Sequence, residues 1–239
     1  EAARRQQQLR VAQRHPERRG AGASFPDLTA VPSRAVPVPT TGLLRPDERP
    51  IALDTLVASF DDDPWFRWAM PDARDRRAWL AWFHGVSLAR ALREGTAFTL
   101  GDGPGLGAIT VMPPGVAGPG TLDWIRALRT PPRRAPTWRL ATTGLRTQAR
   151  LDALHPREPV VYVHVLGVHP SQKGKGLGGA LLREALAMAT RRAVPLFLET
   201  SNPVNLGFYR RFGLRVRGEI NLGDAPPVWV MKTDGPPER

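Results

Sequence analysis

The chain contains no cysteine in 239 residues. It therefore has no disulfide, no cysteine nucleophile and no thiolate metal site. It also lacks any run of 18 apolar residues, which excludes a membrane-spanning helix. The charged N-terminal stretch is not followed by an apolar segment of ~7–15 residues, so no signal peptide is expected and the expected compartment is cytoplasmic. Lysine is nearly absent: Lys173, Lys175 and Lys232 stand against 31 arginines. There are two tyrosines, Tyr162 and Tyr209. Of the five histidines, His15 lies in the N-terminal stretch, and His84, His155 and His169 have no metal-ligand spacing, so no metal is expected.

Hydrophobic residues make up 41% and charged residues 23%, which suits a soluble globular protein with a sizeable core. The formal charge of +12 raises the question of nucleic acid or of an acidic ligand. Arginine, alanine, glycine and proline are abundant together, which points to GC-rich coding more than to a selected nucleic-acid surface. Nucleic acid is therefore not the expected partner. Residues 1–34 hold Arg4, Arg5, Arg10, Arg14, Arg18, Arg19 and Arg34, with few large apolar side chains. Such a segment cannot bury enough surface to offset its ordering entropy. It is expected to be a disordered basic tail, with a polybasic arm as the functional alternative. The folded domain is expected over 35–239.

Prolines in AVPVPTTGLL permit only an edge strand. Asp47 is expected to cap a helix that runs to Phe60. Asp61, Asp62 and Asp63 suit a solvated turn better than a trap for a cationic amine. Asp72 should open, and Gly95 close, a long helix. TAFTL and LGAITVM form a predicted hairpin, and helices are predicted near 121–129 and 136–154. VVYVHVLGV (160–168) is a strand of the kind buried on both faces. A glycine-rich loop then leads into the helix LLREALAMATRR, and PLFLET (195–200) is a second strand. Strand, helix and strand in this order make a parallel pair.

The loop is KGKGLGG, residues 173–179. Glycines let backbone N–H groups approach an anion, and a helix N-terminus adds a positive dipole end. Lys173 and Lys175 add full charges. Gly174, Gly176 and Gly179 also match G-x-G-x-x-G, with Glu199 twenty residues later. A dinucleotide site is excluded, because five residues separate the strand from the first glycine and too little chain follows Glu199. A phosphate loop of the Walker type fails as well, since Gly176 follows Lys175.

VLGVHPSQKGKGLGGALL resembles the acetyl-CoA signature of the GNAT N-acetyltransferase superfamily, Q/R-x-x-G-x-G/A. Lys173, Gly174, Lys175, Gly176, Leu177 and Gly178 occupy its positions, with lysine where glutamine or arginine is usual. FLETSNPVNLGFYRRFGLRV resembles the second motif of that superfamily, with Asn202, Asn205 and Tyr209 in register. The stretches REPVVYVHVLGV and PPVWVM resemble its puromycin N-acetyltransferase-like branch. The resemblance implies an α/β fold: a mixed, mostly antiparallel sheet with a central splayed parallel pair, flanked by helices. It implies acetyl-CoA as co-substrate, with the pantetheine arm on the backbone of Leu166, Gly167 and Val168 and an oxyanion donor near Leu166. The pyrophosphate would lie on the loop from Lys173 to Gly179, and Asn205 would complete the cofactor side. Tyr209 matches the position that protonates the departing thiolate, and packing beside Phe208 and Phe212 is its structural alternative. Glu199 matches an acidic position that serves as general base in some relatives, with an arginine-paired structural carboxylate as the alternative. His164 shares a strand face with Tyr162 and is expected to be a satisfied core residue. The implied reaction is direct acetyl transfer to a primary amine. A small molecule such as an aminonucleoside is the first expected acceptor, and a peptide or protein amine the second. A non-catalytic nucleic-acid module on the same fold is a further alternative, and a homodimer is compatible with the fold.

Overall fold

The computed structural model describes residues 39–101 and 103–237. The expected tail at 1–34 lies outside the described residues, as does the start of the predicted edge strand. The rest of that strand is β1 (Thr41–Leu43), followed by a 3-10 turn over Pro46–Glu48. Helix α1 (Arg49–Phe60) has Pro50 in its first turn, where a missing N–H leaves no bond unmade. Asp47 does not cap it. Glu48 folds back onto the Arg45 N–H at 2.9 Å and takes the boundary position, while the Asp47 carboxylate meets Arg45 in the turn.

Asp63 starts α2 (Pro64–Ala69) by accepting from the N–H groups of Trp65 and Phe66. Asp72 starts α3 (Ala73–Glu94) by accepting from the Asp75 N–H at 2.9 Å. Gly95 ends α3 at φ 65°, a left-handed cap that a residue with a Cβ adopts only under strain. Arg76, Leu80, His84, Ser87, Leu88 and Ala91 are buried along one face of this helix. The predicted hairpin forms from β2 (Ala97–Leu100) and β3 (Gly107–Met112). Helices α4 (Thr121–Ala127) and α5 (Trp138–Leu154) flank Pro131 and Pro132, as expected.

The crossover consists of β4 (Val161–Val168), α6 (Leu177–Arg192) and β5 (Leu196–Thr200). Helix α7 (Val204–Arg210) and strands β6 (Arg215–Ile220) and β7 (Val228–Lys232) follow. Helix α6 starts at Leu177, four residues before the predicted helix, so Gly178 and Gly179 lie in its first turn. Packing overrides glycine's poor helix propensity here: a Cβ on Gly179 would come within 3.0 Å of the Phe212 ring.

The seven strands run in the order β1-β2-β3-β4-β5-β7-β6, and β4–β5 is the parallel pair. On one face, Leu181, Leu182 and Ala185 of α6 pack on Val161, Val163 and Leu198. On the other, Leu56 of α1 and Leu88 of α3 pack on Tyr162, Val165 and Phe197, with Leu151 of α5 beside them. Trp65, Leu140, Ile220 and Val228 extend this second core toward β6 and β7. The architecture is the mixed sheet with one central parallel pair that the sequence implied.

Candidate active site

Strands β4 and β5 are hydrogen-bonded partners only at Val161↔Leu196, Tyr162↔Phe197 and Val163↔Leu198. Beyond that rung β4 continues to Val168 paired only with β3, and β5 continues to Thr200 paired only with β7. The pair therefore splays into a wedge. His164 and Glu199 are the first residues past its last rung. Leu166, Gly167 and Val168 lie along the open edge of β4, where the family resemblance puts the pantetheine arm. A β-bulge occurs here: Thr110 pairs with Val165 and Val111 with Val163, which leaves His164 as the extra residue. The bulge shifts the alternation, so Tyr162, His164 and Val165 all serve the same face.

Gly167 fixes the distance between this edge and α1. A Cβ there would lie 2.8 Å from Leu56 Cδ2 and 2.9 Å from Ser59 Cβ. Leu56 is fully buried and has nowhere to move. Gly167→Ala is expected to destabilise the fold by ~1–3 kcal/mol through overpacking. Chemical denaturation should show the midpoint falling with the slope unchanged.

At the far end of the wedge the glycine loop is exposed from Lys173 to Gly176. Gly174 and Gly176 have φ of 82° and 78°. Two left-handed residues separated by one curl successive N–H groups toward a common point. Among the described residues, none of the N–H groups from Gly174 to Gly178 has a backbone partner; the pairing resumes at Gly179, which bonds to Gly176 O. Leu177 is buried in the core and anchors the loop. Lys175 Nζ donates to Gln172 Oε1 at 2.8 Å, and Lys173 is exposed beside it. This arrangement could hold an anion mostly through backbone N–H groups. Asn205 lies on α7, its amide tied to Thr200 Oγ1 at 3.2 Å.

Glu199 lies at the apex of the wedge. The Tyr162 hydroxyl donates to its Oε2 at 2.6 Å. Burial raises the Glu199 carboxyl, the Tyr162 hydrogen bond lowers it, and nearby Asp152 raises it again, leaving it at about 7. No arginine pairs with it among the described residues, so the structural alternative has no partner. His164 is the satisfied residue that was expected: its Nδ1 lies 2.8 Å from Ser87 Oγ, which in turn lies 2.8 Å from Thr110 Oγ1. Burial lowers its imidazole to about 4, and burial together with His164 lowers that of His84 to about 3. Both rings are neutral near pH 7.

An aromatic wall rises beside this face from α1, α2 and α3. Phe60 stacks on His84 at 4.6 Å, Phe66 lies 6.3 Å from Phe60, and Phe83 6.4 Å from Phe66. Trp124 of α4 continues the wall 6.1 Å from Phe83. The aspartate triplet is no amine trap. Asp61 holds Arg76 and Arg77, Asp62 meets Arg67, and buried Asp63 accepts from Ser201 Oγ at 2.7 Å. Tyr209 is buried on the α6 side of the sheet, its ring 5.0 Å from Phe208, and burial raises its phenol above the ordinary value. Its hydroxyl has no hydrogen-bond partner among the described residues. Tyr162, Ser87 and the aromatic wall carried no assigned role in the sequence. Only the shared strand face of Tyr162 and His164 signalled any of them. Two surface cavities, of about 430 Å³ against α3 and about 760 Å³ beyond α7, include no wedge residue.

A glycine-rich loop at the mouth of a splayed parallel pair is the arrangement of the GNAT fold. Residues 140–214 match the model of the Acetyltransferase (GNAT) family. Over 95 residues the chain is 42% identical to the N-alpha-acetyltransferase RimI of Mycobacterium tuberculosis, a span of 37% of this chain and 60% of that protein. The chain thus matches less than two thirds of that relative's length. Its fold is similar to that of the histone acetyltransferase HPA2 and related acetyltransferase of Corynebacterium glutamicum, with a TM-score of 0.60 at 21% identity over 84% of this chain and 97% of that one. Arylalkylamine N-acetyltransferase 2 of Aedes aegypti gives 0.55 at 13% identity, over 81% and 97%. These relatives lend no support to the finer resemblance, that to the puromycin branch.

Proposed function

We propose that this chain transfers acetyl from acetyl-CoA to the primary amine of a small molecule with an apolar or aromatic body. The observation that carries the reading is the position of Glu199. A carboxyl raised to about 7 stands at the apex of the wedge whose other end is the glycine loop. In this reading the loop is the cradle that holds the diphosphate, and the open edge at Leu166–Val168 holds the pantetheine arm as an added half-strand. Glu199 takes the proton of the incoming ammonium. The neutral nitrogen attacks the thioester carbon, and a backbone N–H near Leu166 steadies the oxyanion. The carbon–sulfur bond breaks, and Tyr209 supplies the proton that makes the free thiol. The aromatic wall of Phe60, Phe66 and Phe83 suits an apolar acceptor, and neutral His84 and His164 do not repel a cation.

The test is a panel of amines offered to the purified chain with acetyl-CoA, read by thiol release and by product mass. Arylalkylamines and aminonucleosides are expected to outpace peptides. A second reading, acetylation of a peptide α-amine, is favoured by the similarity to RimI. Turnover confined to peptide N-termini would select it. No thiol release with any amine would overturn both.

The cradle has its own test. Gly176→Ala places a Cβ on a residue at φ 78°, a strain of ~1–2 kcal/mol. The loop is expected to relieve that strain by turning its N–H groups away from the anion. Acetyl-CoA Kd measured by calorimetry should rise about tenfold. An unchanged Kd would mean that the diphosphate lies elsewhere.

A further inference from the structure

Tyr162 is 8% exposed and has a single hydroxyl proton to place. Three rings fix its direction: His155 at 5.6 Å, His164 at 5.4 Å and Phe197 at 5.5 Å, with the two histidines meeting it nearly edge-on. Held in this way, the hydroxyl reaches Glu199 Oε2 at 2.6 Å, a short, charge-assisted distance. The reach depends on the strands. Tyr162 pairs with Phe197 in the parallel rung, so Glu199 is the next residue on the same face of β5, where the splay begins. One carboxylate oxygen is thereby tied inward, leaving the other to meet an amine.

From this geometry we infer that Tyr162 is a positioning residue that fixes the orientation of Glu199 and sets its affinity for the transferred proton. The inference rests on the proposed role of Glu199 as base. The other charged or titratable groups near the pair are few. Asp152 of α5, held by Gln148 Nε2 at 2.8 Å, opposes ionisation. His155, just past α5, bonds Pro156 O through Nδ1 at 3.1 Å and packs on Tyr162 and Phe197. His164 faces Tyr162 from β4, with His84 of α3 behind it. Asp63, at the start of α2, is held by Ser201, two residues after Glu199. From β7, uncharged Val230 stands opposite Glu199. Tyr162 is the one among these whose hydrogen bond favours the carboxylate form of Glu199.

Tyr162→Phe keeps the ring and removes the hydroxyl. The acidic limb of kcat/KM is expected to move up by about one pH unit, which is about a tenfold loss below the limb. Above the limb the rate should also fall, by a smaller factor than below it, because the carboxylate has lost its tether. In the full chain without substrate, carbon NMR of labelled glutamate should show the Glu199 titration moving upward by the same amount. A profile and a titration that superimpose on the wild type would overturn the inference, and so would an equal loss at every pH. Glu199→Gln tests the underlying reading separately. If it abolishes the limb while Tyr162→Phe leaves the limb in place, the base stands and the positioning role falls. If the limb survives in Glu199→Gln, the base assignment itself is wrong.

Discussion

Glu199→Gln is expected to lower kcat by ~10²–10⁴-fold, the usual worth of a positioned base, and to abolish the acidic limb near neutral pH. Glutamine keeps the size of the side chain and can still accept from the Tyr162 hydroxyl, so packing at the wedge apex should persist. It cannot take a proton from an ammonium. The loss should shrink as the pH approaches the pKa of the amine, because free amine then no longer needs the base. Acetyl-CoA affinity should hold, since the cradle lies at the other end of the wedge. Stability supplies an independent check. The carboxyl of Glu199 is raised from 4.5 to about 7 in the folded state. A group raised on folding contributes stability below its unfolded pKa and loses it as pH rises through the folded value. Above about pH 7 the wild type therefore carries a buried carboxylate that glutamine does not. The variant is expected to melt at a higher temperature than the wild type at pH 8 and at nearly the same temperature at pH 5. A variant that is slower and also less stable at pH 8 would mark Glu199 as a structural residue.

The outline of this fold was legible where local chemistry decides structure. Asp72 and Gly95 bracket α3 because a side-chain cap and a left-handed terminus need those residue types wherever the helix packs. The crossover was legible because a strand, a helix and a strand of these lengths leave one sensible pairing. The shape of the glycine loop was legible because glycines spaced beside a helix start leave backbone N–H groups free wherever they occur. Contacts between distant parts were not legible. Ser201 holds Asp63 across 138 residues, so a triplet that resembled a solvated turn contains a buried carboxylate that ties α2 to the end of β5. Tyr162 reaches Glu199 across 37 residues, through a register that no residue type announces. The bulge at His164 is equally silent in the sequence, although it decides which side chains face the acceptor side. Composition misled in one place: Gly178 and Gly179 resembled the tail of a loop, yet they lie in the first turn of α6, where the absence of a Cβ on Gly179 leaves room for the Phe212 ring.

Tyr209→Phe should lower kcat by a comparable ~10²–10⁴-fold and leave acetyl-CoA affinity nearly unchanged. Tyr209 is buried in the core on the α6 side of the sheet with its ring 5.0 Å from Phe208, and phenylalanine fills the same volume. Stability should therefore stay within about 1 kcal/mol of the wild type, since no hydrogen bond to another described residue is lost. Phenol-to-sulfur bonding matters mainly as negative charge grows on the departing thiolate, so the loss belongs in kcat rather than in binding. Burial adds a signature in pH. It raises the Tyr209 phenol above its ordinary value of 10.0, so the proton is retained throughout the working range of the enzyme. The wild type should show no alkaline limb from this group below about pH 10, and the variant should be slowed by the same factor at every pH. That pattern separates Tyr209 from Glu199, whose loss is expected to depend on pH. Acyl donors with better leaving groups than a thiolate offer a second separation. An activated ester needs less protonation on departure, so the deficit of Tyr209→Phe should narrow with such a donor, whereas the deficit of Glu199→Gln should not. A Tyr209→Phe enzyme with wild-type turnover would make the ring a packing residue and assign the proton to water.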